Sequence, residues 1–199
     1  MKGLFSFDGP LYKFCVLIYE TFMLNLLWLL GSLPILTIGV STSALYYVYG
    51  KKVRGDSYNI YKDFFKGYKE SFKQAFPIGA VIAVVLFLSI FNLYKLNSMG
   101  SGYSSLKILQ LFIILQILII SVFLFPLIAR FNMGLYDLIK NSVILAYKHI
   151  IVSISLVLVL TALSIFTMHK ISFALFIISI YAYISSYFIE KIFNKYVKF

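Results

Sequence analysis

The sequence predicts an all-α, polytopic membrane bundle of about six transmembrane helices, with two interfacial amphipathic helices on the cytoplasmic side. Three observations carry this. The chain is 61% hydrophobic and only 13% charged, with a mean hydropathy of +0.93, more apolar surface than one soluble core of 199 residues could hide. Its apolar residues come in long blocks. Its basic residues, which bring the formal net charge to +11, sit at the ends of those blocks rather than in one polar domain. That pattern fits positive-inside topology better than nucleic-acid binding.

The elements follow in order. Asp8-Gly9-Pro10 marks a turn, and Pro10 suits the first turn of a helix. No small-residue cleavage site follows a short apolar core, so the first span is expected to act as its own insertion signal. Phe14 to Tyr49 is almost uninterrupted apolar sequence. As one helix it would be about 54 Å long, far beyond the roughly 30 Å hydrocarbon layer. The break is expected at Gly31-Ser32-Leu33-Pro34, because Pro34 removes a backbone donor and pushes Leu33 out of helical geometry. Two spans result, Lys13 to Leu30 and Ile35 to Gly50. The second is short and rich in Ser and Thr, so the alternative is that it packs inside the bundle.

Lys51 to Lys73 carries seven of the 18 basic residues. On a helical wheel Tyr58, Tyr61, Phe65, Tyr68 and Phe72 share one face, with Lys62, Asp63, Lys66, Lys69, Glu70 and Lys73 opposite. An aromatic face against a lysine face suits a helix lying in the headgroup layer, with lysines toward anionic lipid or a protein partner. This first interfacial helix is predicted over Tyr58 to Lys73. Spans follow at Phe76 to Tyr94 and at Leu106 to Phe131, the latter interrupted by Pro126, with a glycine-containing loop, Lys95 to Ser105, between them. Met133 to Lys148 is the second interfacial candidate, with Leu135, Leu138, Ile139, Ser142 and Ala146 on its apolar side. Ile150 to Met168 and Ile171 to Ile189 complete the spans.

With six spans and both termini cytoplasmic, 15 of the 18 basic residues lie inside. A five-span alternative gives 13 and is the poorer fit. The order span, proline, interfacial helix, span occurs twice, around Pro34 to Tyr94 and Pro126 to Met168. This is an architectural hint of a repeat without residue-level identity.

FDGPLYKF, then Leu24 to Val48, then YKDFFKGYKESFKQA from Tyr61 to Ala75 together resemble the YesL-like family of bacterial membrane proteins of unknown function. Asn25, Trp28, Pro34, Thr37, Gly39, Phe64, Phe65, Phe72, Lys73 and Gln74 stand in that family's pattern. Gly9 separates the aspartate from the proline, a small departure. The resemblance covers roughly the first 75 residues closely. It implies a plasma-membrane protein of Gram-positive-type bacteria, often encoded near genes for sugar uptake and polysaccharide degradation, and it implies no activity.

Among polar residues inside spans, Glu20 is the acid deepest in one, and a charge in hydrocarbon costs at least ~2.5 kcal/mol. It is a candidate for proton or cation coupling, or for a structural contact with a neighbouring helix. Asn25 lies about 140° around the same helix from Glu20, so the two form no joint site on that helix and Asn25 is expected to join helices. Gly39 with Ser43 and Gly79 with Ala83 give spacings that let helices approach closely. His149 and His169 stand alone at span ends, and the single Cys15 excludes an internal disulfide or multi-cysteine metal site. No cofactor is expected. No phosphate-binding glycine loop, H-E-x-x-H or G-x-S-x-G is present, so a lipid- or glycan-processing enzyme is the weakest functional class. An accessory subunit of a transport or signalling complex, tied to carbohydrate uptake only through the resemblance, ranks first, ahead of a small transporter using Glu20. The glutamate-alanine-alanine motif of an ATP-driven importer's permease is missing from both cytoplasmic segments.

Overall fold

The computed structural model describes residues 9–98, 103–169 and 174–196. The aspartate of the first turn, the centre of the Lys95–Ser105 loop and the beginning of the last expected span lie outside them. Among the described residues the chain is all-helical: α1 (Pro10–Gly31), a 3-10 turn (Ile35–Thr37), α2 (Ile38–Arg54), α3 (Ile60–Ser98), α4 (Ser104–Arg130), α5 (Leu135–Lys148), α6 (Ile150–His169) and α7 (Ala174–Tyr196). Five of these helices, α1, α3, α4, α6 and α7, are long and apolar enough to cross a membrane.

The break after α1 falls where glycine and proline place it. Ser32 donates its hydroxyl to the Trp28 carbonyl at 2.7 Å, and the Thr37 hydroxyl lies 2.7 Å from the Gly31 carbonyl and 2.6 Å from that of Pro34. Carbonyls left over at the helix end are thus satisfied within the turn. The Leu33–Pro34 peptide is cis. Leu33 and Ile35 at the tip are 73% and 70% exposed.

The expected second span shifts and turns inward. Its helix begins at Ile38, after the 3-10 turn, and runs on to Arg54. Gly55, at φ 80°, ends it in a Schellman motif, with its own N–H bonded to the Lys52 carbonyl and that of Asp56 to Lys51. At 17 residues α2 is not among the five long apolar helices. It is the buried centre, with Val40, Ala44, Leu45, Val48 and Tyr49 fully enclosed by α1, α3, α4 and α7. Packing inside the bundle, the alternative raised by its Ser and Thr content, is therefore what occurs.

The separate interfacial helix and span expected on either side of residue 75 are one helix. α3 runs 39 residues, about 58 Å, straight through Pro77. The reason lies in its partner. Asp63, Gly67, Ser71, Ala75 and Gly79 form one buried stripe at four-residue spacing, and α2 packs against it on both sides of the proline. Lys51 meets Asp63, Tyr47 meets Gly67, and Gly39 meets Gly79, so the two helices are antiparallel. The wheel assignment is corrected accordingly. Asp63 and Phe64 point inward, Tyr58 and Tyr68 are half-buried, and Tyr61, Phe65 and Phe72 stay exposed. The buried stripe takes a third side of the helix beside the aromatic and lysine faces, and small residues carry no hydropathy signal that would have marked it.

α4 continues through the buried Pro126 to Arg130. α5 buries Leu138, Ser142 and Ala146, whereas Leu135 and Ile139, expected on the same side, are about half exposed. Since α5 ends at His149 before α6 while the corresponding break is missing in α3, the two halves proposed as a repeat differ at the equivalent point.

The contact of the Gly39 and Gly79 backbones tests the cost of this packing. A Cβ on Gly39 would lie 2.9 Å from the Gly79 Cα and 3.0 Å from the Ala75 carbonyl oxygen, whereas one on Gly134 would meet nothing nearer than 3.6 Å. Gly39→Ala should lower stability by about 1–3 kcal/mol, read as a shifted unfolding midpoint in detergent, and Gly134→Ala should leave the midpoint within about 0.5 kcal/mol. Equal midpoints would refute this helix contact.

Candidate functional site

The final turn of α2 places Lys51, Lys52 and Arg54 beside one another, and each reaches a carboxylate on a different helix. Lys51 Nζ bonds Asp63 Oδ1 of α3 at 2.8 Å. Lys52 Nζ bonds Glu20 Oε2 of α1. Arg54 Nη1 bonds Glu190 Oε1 of α7 at 2.7 Å. All three carboxylates are buried, where an ion left without a partner would cost several kcal/mol. Cations in the last turn also face the negative end of the helix dipole. We refer to this arrangement as the clasp.

Each arm has its own local support. Asp63 Oδ2 accepts the Asn59 N–H at 2.7 Å while Asn59 Oδ1 accepts that of Lys62 at 3.1 Å, a reciprocal cap that starts α3. Tyr58 donates its hydroxyl to Glu20 Oε1 at 2.6 Å. Burial, and then this bond to Glu20, raise the Tyr58 phenol well above its ordinary pKa, so it stays a donor. Lys52 Nζ also lies 5.1 Å from the Tyr183 ring centre. Glu190 receives a second cation: Arg130 bonds its Oε2 and also donates to Asn194 Oδ1 at 2.9 Å. Gly50 is needed beside it, because a Cβ there would stand 2.8 Å from Glu190 Oε1.

The residues singled out in the sequence separate into three groups. Glu20 belongs to the clasp and opens onto a cleft of about 420 Å³ that Lys13, Lys52, Tyr58 and Tyr183 also line. Asn25 is elsewhere and fully enclosed, its Oδ1 accepting the Ser179 N–H of α7 at 3.2 Å. Lys62, Lys66, Lys69, Glu70 and Lys73 stay on the α3 surface, with Lys66 and Glu70 a loose pair at 4.0 Å. Gly31 and Gly39 mark close helix contacts, a Cβ on Gly31 falling 2.7 Å from Ser41 Oγ. Asp63 leaves the surface group altogether. Hydropathy reading missed Glu190, Arg54 and Arg130 as an internal network. The signal available was Glu190 itself, an acid amid apolar residues near the end of the last span.

Residues 21–93 match a family model described as "Protein of unknown function, DUF624". The matched stretch contains the second half of α1, all of α2 and most of α3, hence Asp63 alone of the three carboxylates and all three cations of the clasp, with Glu20 just before its start. No curated protein and no solved structure matches the chain. Among the described residues no three His, Cys, Asp or Glu side chains are grouped as a metal would require.

A titrating group sits where α5, α6 and α7 meet. His149 Nε2 lies 2.9 Å from the Tyr196 hydroxyl, and burial, then Lys195 and Lys148, push the imidazole below its ordinary 6.5. The folded state thus binds fewer protons than the unfolded chain. The stabilisation is complete above about pH 6.5 and is lost as pH falls toward the depressed folded value. Thermal unfolding in detergent should weaken between pH 7 and 5, and His149→Phe should flatten that part of the profile. An unchanged slope in the variant would remove His149 as its source.

Proposed function

We propose that this is a multi-pass cell-membrane protein acting as a non-enzymatic accessory subunit of a transport or signalling complex. In this reading α2 serves as a short sixth crossing sheltered by the others, and both termini face the cytoplasm. The pairing of Glu20 with Lys52 and of Trp28 with Thr42 supports it, since α1 and α2 then return to the same side. The C-terminal ends of α2, α4 and α7 also meet at Arg54, Arg130 and Glu190, which brings the basic ends together. The narrower YesL-like name, and with it a link to carbohydrate uptake or utilisation, comes from the sequence resemblance alone and is part of the proposal.

The observation that carries the accessory reading is the division of the basic stretch. Lys51, Lys52 and Arg54 are spent on internal carboxylates, while Lys62, Lys66, Lys69 and Lys73 line one exposed face together with Glu70. Each lysine near an anionic leaflet is worth on the order of 1 kcal/mol, so this face suits anionic lipid, and with its acid it also suits a mixed-charge protein surface. Replacing the four lysines by glutamine and isolating the protein in mild detergent should strip a stoichiometric membrane partner, with insertion and abundance retained. Retention of every copurifying protein would defeat the accessory reading.

The cleft at Glu20 favours a second reading, a small transporter in which Glu20 exchanges Lys52 for a proton, a cation or a substrate group. The purified chain alone in vesicles should then catalyse uptake, and Glu20→Gln should reduce that uptake at least tenfold. No uptake by the intact chain, or full uptake by the variant, would return Glu20 to the clasp alone.

A further inference from the structure

Two openings lie end to end along the seam between α3 and α4. The first is a polar cleft of about 380 Å³, reached by Glu70, Ser71, Gln74, Arg130 and Asn132. The second is a groove of about 350 Å³ whose walls are Ile78, Val81 and Ile82 of α3, Ile117 and Leu124 of α4, and Ile139 of α5. Positions 70, 74, 78 and 81 lie one turn apart on α3, and 117, 120, 124 and 128 do so on α4, so both openings use the same two stripes. Gln74 Nε2 donates to the Met133 carbonyl at 2.7 Å at their junction. The one hydroxyl in the groove, Ser142, is already committed to the Ile139 carbonyl at 2.8 Å.

The two chemistries differ sharply over a single helical turn. The groove exposes only apolar surface between two helices suited to crossing a membrane, so hydrocarbon rather than water fills it there. The cleft is lined by one carboxylate, one guanidinium, two amides and the hydroxyl-bearing Tyr47 and Ser71, a set balanced in charge. Arg130 is held by Glu190 and Asn194, which leaves Glu70, with Lys66 only at 4.0 Å, as the group available to a cation. Gln74 Nε2 is shared between the Met133 carbonyl and Asn132 Oδ1 at 3.5 Å, which orients Asn132 with its amide N–H groups as donors suited to a phosphate oxygen.

We propose that this seam binds one zwitterionic phospholipid, an acyl chain in the α3–α4–α5 groove, the headgroup ammonium at Glu70 and the phosphate toward Gln74 and Asn132. An anionic headgroup would meet the Glu70 carboxylate and is disfavoured. The site goes beyond the accessory reading and does not depend on it. It adjoins the lysine face, with which it shares Glu70.

Brominated-lipid quenching tests it on the full chain in vesicles. Trp28 is the single tryptophan. In a Trp28→Phe background, Val81→Trp reports the groove lip and Phe87→Trp reports a lipid-facing position outside it. Quenching at 81 should saturate at a mole fraction of brominated phosphatidylethanolamine roughly fivefold lower than of brominated phosphatidylglycerol, the net scale of one hydrogen bond. At 87 the two lipids should quench alike. Glu70→Gln should erase the preference at 81. Identical curves at 81 and 87 mean ordinary lipid contact and overturn the site, as does a preference that survives Glu70→Gln. Should the Trp28→Phe background not fold, mass spectrometry of lipid retained by the wild-type chain against Glu70→Gln decides the same point, equal retention of phosphatidylethanolamine by the two refuting the proposal.

Discussion

Everything in this bundle depends on keeping α2, a helix with three cations in its last turn, buried among apolar neighbours. Two devices make that workable. Along its length, Gly39 and the small stripe Gly67, Ser71, Ala75 and Gly79 of α3 let the backbones come close enough for dispersion and close packing to act. At its end, carboxylates from α1, α3 and α7 meet Lys52, Lys51 and Arg54 one for one. The ion pairs need not stabilise the fold relative to an apolar design. Their importance lies in the cost of losing any one partner, which strands a buried charge.

That arrangement also decides where chemistry can happen. The three buried carboxylates each have a cation already in place, so they fix helix positions first. Glu20 alone of the three also borders a sizeable open cleft. The surface left for partners is correspondingly narrow: the lysine face of α3 on one side and the amphiphile-shaped seam between α3 and α4 on another. The two share a helix but differ in chemistry, one basic and the other balanced in charge.

Much of the architecture was legible in the sequence because it is written in hydropathy and in backbone punctuation. Gly31 to Pro34 marked the first turn, and apolar blocks fell on all five long helices, on α3 over only its second half. Pairing was not legible. The continuity of α3 through Pro77 comes from a stripe of small residues, which a hydropathy reading treats as neutral. Asp63 looked like a surface acid because its partner, Lys51, lies across a Schellman turn on another helix. Lys51, Lys52 and Arg54 counted as membrane-anchoring charge for the same reason, since a charge tally contains no information on which cations are spent internally. Helical angle sets Asn25 apart from Glu20, but its contact with α7 spans 154 positions in sequence, beyond any local pattern.

The clasp has a consequence for the order in which the molecule is made. Glu190 lies 136 residues after Arg54, so two of the three carboxylates are available early in synthesis and the third arrives only with the last described helix. Until then Arg54 and Arg130 lack the anion between them, and α2 is held by α1, α3 and α4. The nascent chain therefore passes through a stage in which its central helix is seated along its length yet open at its basic end. Synthesis of α7 both adds the final helix and closes the structure around the first.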